Sequence, residues 1–400
     1  MHNSKNPWKY YFTSAIATLA IIILILVTPT HAFANDEFSI ENHELQHIIL
    51  MAEQGNKQAQ FKLGWLFHMG AGIEQCYDQA AYWYRQSAEQ SFYLAQNSLG
   101  LLYSMGLGVG PDYEVSAYWF RLAAEQGYPM AQNMMAGKYH CGYGVDQNYE
   151  TSVYWRRQAA VQGLGHAQTG LGRMYFEGLG VEQSYEQAGY WFRQAAQQGY
   201  ANAKHNLGVI YQRGLSVEQN YDKALYWYRR AVEHGSIASL VNLGWMYERG
   251  FGVVQDSEKA VYFYRQAADL GDYMAKANLG FMYYNGRGVT QSYEQAVYWN
   301  RLAAKLGHVY APSNLGLLYL QGLGIEQNYE LAAYWLRISA GRGNAEAQTN
   351  LGVMYREGIG VMQSLELATY WFRRAAGLGS AAAKNNLALL YRDSIAVAQN

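Results

Sequence analysis

The side chains that could do chemistry are few and mostly isolated. His43-Glu44-Leu45-Gln46-His47 places two histidines four residues apart around a glutamate. That is the spacing with which a metalloprotease helix holds zinc and its general base. Such an enzyme also needs a third ligand and a walled cleft, and the sequence around the motif offers no partner for either. His47 instead falls in register with an aromatic column of the repeat described below, so it is expected to be a half-buried histidine on a capping helix. Metal binding by His43 and His47 is left to a direct assay. The other histidines, including His68, His140, His166, His205, His234 and His308, are scattered and make no Ser-His-Asp set. The Gly-Leu-Gly-Val segments end helices rather than opening one after a strand, so they are not phosphate loops. Cys76 and Cys141 are too few for a disulfide framework. Two repeat steps set them on the order of 20 Å apart, well beyond the roughly 7 Å limit for a disulfide. Both are expected as free thiols. No catalytic residue, metal site or cofactor is assigned.

A subtler candidate is a pair that recurs every 36 residues. Tyr82, Tyr118, Tyr154, Tyr190, Tyr226, Tyr262, Tyr298, Tyr334 and Tyr370 form one column. Trp83, Trp119, Trp155, Trp191, Trp227, Trp299, Trp335 and Trp371 form the next, with Phe263 as the one substitute. Arg85, Arg121, Arg157, Arg193, Arg229, Arg265, Arg301, Arg337 and Arg373 close the motif. Tyrosine and arginine lie three residues apart and so share a helical face. One reading is a ligand-binding stripe. The other, favoured by its uniformity, is packing between repeats, with arginine meeting carbonyls or stacking on a neighbouring aromatic.

These columns need elements to carry them. A fixed period of this length means stacked helix pairs, not one globular core. Nine full units run from Asn56 to Gly379. The first helix of each carries a small residue, then Leu-Gly, then an aromatic, as in Ala203, Leu207, Gly208 and Tyr211. A mid-helix glycine costs about 1 kcal/mol against alanine, so its recurrence implies close approach of a neighbouring helix. Ala136 and Ala388 depart from that rule. Turns such as Gly178-Leu179-Gly180-Val181 end the first helix through positive φ. Asp112, Asn148, Ser184, Asn220 and Asp256 are suited to cap the second. That helix carries Ala188, Trp191, Ala195 and Ala196 inward and ends at Gly199. Residues 39–54, with Ser39 as N-cap, predict an N-terminal capping helix within 35–55, and residues 380–400 a C-terminal capping half-repeat.

The net charge of −1 gives no basic field for nucleic acid. At the N-terminus, Lys5 and Lys9 precede an apolar run from Ala15 to Val27 broken only by Thr18. Pro29 and the small-x-small site Ala32-Phe33-Ala34 follow. This predicts a signal peptide over residues 1–34 and export to the periplasm or medium. The rival is an uncleaved anchor over residues 10–27.

The pattern Ala-x-x-x-Leu-Gly-x-x-Tyr-x-x-Gly-x-Gly-Val, then Ala-x-x-Trp-x-Arg-x-Ala-Ala-x-x-Gly, resembles the Sel1-like repeat, a relative of the tetratricopeptide repeat. The resemblance covers Asn56 to about Tyr391. It implies an all-α, α/α superhelical solenoid whose concave groove is lined by first helices, and a scaffold or adaptor role in bacterial envelope or host-contact settings. Helix spacing puts a right-handed stack at roughly 90 Å. Some family members carry a disulfide in each repeat; this chain lacks those cysteines. The carboxylate clamp of tetratricopeptide domains is unmatched too, since no asparagine follows any Leu-Gly.

In repeats of this type the groove positions lie just after Leu-Gly and two residues after the aromatic. Both columns vary here, as expected where stacking does not constrain them. Trp65, Arg173, Arg213, Trp245 and Arg249 are the candidate partner-binding residues, Trp and Arg being typical interface anchors. The expected function is non-enzymatic binding of a protein or extended peptide with acidic groups. The alternative is a cell-wall glycan binder or an envelope hydrolase.

Overall fold

The computed structural model describes residues 42–398, which form two compact units, one ending at Pro111 and one beginning at Asp112. All regular structure among the described residues is α-helix, from Asn42–Glu53 to Ala381–Ala398. The signal peptide, its cleavage site, the alternative anchor and the Ser39 cap lie outside the described residues. No described helix is long and apolar enough to cross a membrane.

Within each unit, sequential helices pack on one another as pairs. Gly165–Glu177 and Tyr185–Gln197 form one representative pair. Gly178 adopts φ 70° and closes the first helix in the left-handed conformation. Two residues on, Gly180 lies so close to the preceding second helix that a Cβ there would meet the Tyr149 carbonyl carbon at 2.2 Å. Glycine, with no Cβ, meets that φ and that approach without strain. Ser216 holds the equivalent place one repeat later at φ 54°.

The turn is fastened by a residue whose constancy carried no assigned role. Gln183 donates from Nε2 to the Phe176 carbonyl at 2.9 Å, and Gln147, Gln219 and Gln255 repeat that bond seven residues back. This satisfies a carbonyl left open at the helix end. All five expected N-caps accept backbone N–H bonds at the start of the second helix. Cys76 takes the position in the first repeat without a side-chain cap bond.

The core sits between the two helices of a pair and the first helix of the next. Ala188, Ala195 and Ala196 are buried as expected, against Ala203, Leu207 and Ile210. The fully buried aromatic, however, is not tryptophan. Trp191 is half-buried, while Phe192 beside it is sealed. Tyr84, Phe120, Tyr228, Tyr264 and Phe372 repeat that burial, each worth roughly 1.5–3 kcal/mol. This ring explains the mid-helix glycine: a Cβ on Gly172 would meet Phe192 Cδ1 at 2.7 Å and the Ala188 carbonyl at 3.2 Å. Successive repeats are also tied by glutamine. Gln198 donates to the Gly163 carbonyl and to Gln168 Oε1 at 2.9 Å each.

Candidate functional site

The tyrosine and arginine columns separate in the structure. Eight arginines donate to the first-helix tyrosine 18 residues on, as in Arg157 Nη2 to Tyr175 at 2.7 Å and Arg265 to Tyr283 at 2.8 Å. Arginine therefore joins one repeat to the next through a hydroxyl, rather than through a carbonyl or a stacked ring. The tyrosines three residues earlier stay exposed, Tyr226 at 54 %. Each sets its ring against the aromatic that follows it, tryptophan in eight repeats and Phe263 in one, 5.2 Å between centroids for Tyr226 and Trp227. Two open cavities recur at equivalent places on this face. One, of about 410 Å³, is bordered by Asp222, Tyr226, Arg229, Gly252 and Val253. The other, of about 590 Å³, is bordered by Glu330, Tyr334, Arg337, Gly360 and Val361.

The five groove candidates do not share one environment. Trp65 belongs to the N-terminal unit, half-buried against a cluster with Ile48, Leu63 and Leu66. Trp245 is half-buried too, its ring 4.8 Å from that of Phe251, so both tryptophans are largely packing residues. Arg173 is half-buried and pairs with Glu177 at 3.9 Å. Arg213 and Arg249 occupy equivalent ends of successive first helices. Both are exposed, with no hydrogen bond or ion pair to any described residue.

At the N-terminal helix the metalloprotease spacing finds no site. His43 and His47 are exposed, and Glu44 is held by Lys62 Nζ at 2.8 Å. The expectation of a half-buried His47 is corrected. Ile48 takes the buried position, and no described helix precedes His47 to cover it. Among the described residues no three His, Cys, Asp or Glu converge as metal ligands. Cys76 and Cys141 are free and half-buried.

The residues missed in sequence lie in the third repeat. Lys138 occupies the column that is Met174, Ile210 and Met246 elsewhere, and is 5 % exposed. Its ammonium reaches the Tyr113 carbonyl at 3.4 Å and sits 5.5 Å from the Phe120 ring centre. Burial pushes it down to about 8, against a smaller opposing pull from Asp112. Arg156 replaces the sealed aromatic and is 9 % exposed. The detectable signal was a charge at a fixed period in columns that are otherwise apolar or aromatic, apart from Asn300 in the column of Arg156. His140, half-buried nearby, is depressed to about 4 by burial, then by Arg156 and Arg173.

A family model described as Sel1 repeat matches nine segments: 57–92, 94–128, 129–164, 165–200, 201–236, 237–272, 274–308, 310–344 and 345–380. The chain belongs to the Sel1 repeat family. Its fold is similar to that of c5321, a protective antigen of uropathogenic Escherichia coli with an SLR fold: 33 % identity, 87 % of this chain and 83 % of that one covered, TM-score 0.58. It is also similar to a Sel1 repeat protein from Oxalobacter formigenes, with 26 % identity, 91 % and 98 % coverage and a TM-score of 0.59. No curated protein matches the chain by sequence. Sel1 repeat proteins are generally protein-interaction scaffolds, and the fold is typically non-catalytic.

Proposed function

We propose that this chain is a non-enzymatic interaction scaffold, exported to the bacterial periplasm or medium, that binds an extended acidic segment of a partner protein. The observation that carries this reading is the pair Arg213 and Arg249, exposed and unpaired among the described residues at equivalent ends of successive first helices. Half-buried Arg173 and Trp245 flank them in the other variable column. An extended strand advances about 3.3 Å per residue, so carboxylates several residues apart would reach both guanidinium groups. Rim charges of this kind set association rate and salt sensitivity more than affinity.

The test is binding of an extended Asp/Glu-rich peptide at low and moderate salt. The Arg213→Glu, Arg249→Glu variant should keep its melting temperature and lose at least tenfold in affinity. A folded variant that binds at full strength sinks the assignment. A glycan-binding reading is favoured by one observation, the recurrence of the Tyr226 and Tyr334 cavities at equivalent places. Pelleting with purified peptidoglycan, lost in a Tyr226→Ala, Tyr334→Ala variant, would establish it.

A further inference from the structure

The residue at the start of each first helix forms a column of its own, and the eighth repeat puts a titratable group in it. Asn56, Ser236, Asp272 and Asn344 stand in this column, and each side chain accepts the backbone N–H three residues on. His308 holds the same place. Its Nδ1 accepts from the Ala311 N–H at 3.0 Å, again three residues on, and from the Tyr310 N–H at 3.2 Å. An imidazole thus takes the role of an N-cap. It can do so only while Nδ1 carries no proton.

This turn leans on its side chains more than the neighbouring ones do. Lys276 gives its N–H to the Asp272 carbonyl, and Gln348 gives its own to Asn344. The eighth repeat has Pro312 at that place, with no N–H to give. The helix accordingly starts at Ala311, three residues after His308, whereas the next first helix starts at Ala345, directly after Asn344. Two groups from the end of the second helix hold the stretch instead. Arg342 Nη1 donates to the His308 carbonyl at 3.1 Å, and Ser339 Oγ to the Val309 carbonyl at 3.0 Å. Arg342 stands in the column of the clasp glutamine Gln198. The groups facing the imidazole are Asp272, Arg342 and the rings of Tyr273 and Tyr310.

We propose that His308 is an acid-released latch at the joint of the seventh and eighth repeats, where protonation of Nδ1 frees the first turn of the eighth. Protonation removes both acceptor bonds at once. It also sets a cation at the positive end of the helix dipole and turns it toward the Arg342 guanidinium. Burial lowers the imidazole from its ordinary value; Asp272 pulls it back up, and Arg342 pushes it down. The folded joint therefore keeps His308 neutral where the unfolded chain has begun to protonate it. Its stability is full above the ordinary histidine range and is lost as pH falls through that range and below. The latch stands whether or not Arg213 and Arg249 bind a peptide.

Hydrogen exchange of the full chain, resolved to single amides and corrected for its intrinsic pH dependence, tests the latch. Burial also lowers His68, His140, His166 and His205, so a global melt would sum them all and the reading must be local. Between about pH 7 and about pH 5, the span in which histidine titrates, protection of the Tyr310 and Ala311 amides should fall several-fold, the size of one lost cap. The Ala347 amide, bound to Asn344 at 2.9 Å, should hold its protection. His308→Asn should remove the fall, since asparagine caps this column and does not titrate. Asp272→Asn keeps a cap on its own helix and removes the carboxylate that favours the imidazolium, so the midpoint of the fall should move to lower pH. Equal changes at Ala311 and Ala347 overturn the proposal, as does a fall that persists in His308→Asn. Should that variant not fold, Asp272→Asn decides, and an unmoved midpoint overturns the latch.

Discussion

The third and sixth repeats share one backbone plan and differ in what they bury. In the sixth, Tyr264 fills the core and its hydroxyl donates to Glu248 at 2.8 Å, over Gly244 and beside Met246. In the third, the same four places hold Arg156, His140, Ala136 and Lys138. The sixth joins its buried Tyr264 to Glu248, whereas the third buries two cations, Lys138 and Arg156, and Arg156 Nε has no hydrogen-bond partner among the described residues. The second-helix cap bond, the turn glutamine and the arginine ladder recur in both. The scaffold therefore survives a charged core because its joints do not depend on what fills the column.

The sharpest way to break this comparison is at the mid-helix position. Gly244→Ala drives a methyl to 2.6 Å from Tyr264 Cε1 and should cost about 3 kcal/mol of unfolding free energy in urea. The reverse change, Ala136→Gly, relieves nothing and should cost about 1 kcal/mol.

Lys138 should separate the two repeats by pH. Its folded-state value, about 8, lies below the ordinary 10.5. Between those values the unfolded chain holds a proton that the folded chain has released, so stability should rise with pH across that window. The gain should be on the order of 2 kcal/mol and should vanish in Lys138→Met. A flat profile in the unaltered protein would show that the ammonium reaches water.

Opposite signs are expected where the buried partners differ. Tyr264→Phe strands the buried Glu248 carboxylate and should lose about 1–2 kcal/mol. Arg156→Met removes a buried charge and should gain about 1 kcal/mol. Chemical denaturation of both variants in chloride buffer checks the pair.

The smallest effect tests where the repeats agree. Arg157→Ala and Arg265→Ala each remove one exposed bond to tyrosine and should cost about the same, roughly 0.5–1 kcal/mol. A clear difference between them would mean that the third repeat leans on its ladder to offset its core.

Much of the fold was legible in the sequence because the repeat prints each role nine times. Helix pairs, N-caps at Asp112, Asn148 and Ser184, and turn glycines such as Gly178 follow from local backbone chemistry, which needs no distant partner. The inward face of the second helix was less legible. Tryptophan and the residue after it are both aromatic and adjacent, and only packing shows that Phe192 is sealed while Trp191 is not. The groove tryptophans were read as exposed anchors because periodicity gives a face and not its cover; Phe251, six residues beyond Trp245, supplies that cover.

By itself the sequence determined the period, the helix boundaries and the family, since these rest on local propensity repeated in register. Tertiary structure decided the partners. Arg157 meets Tyr175 across a repeat boundary, 18 residues away, and Arg156 lies over Gly170 because two helices converge there. Such pairings depend on the rotation from one helix to the next, which a linear pattern does not contain.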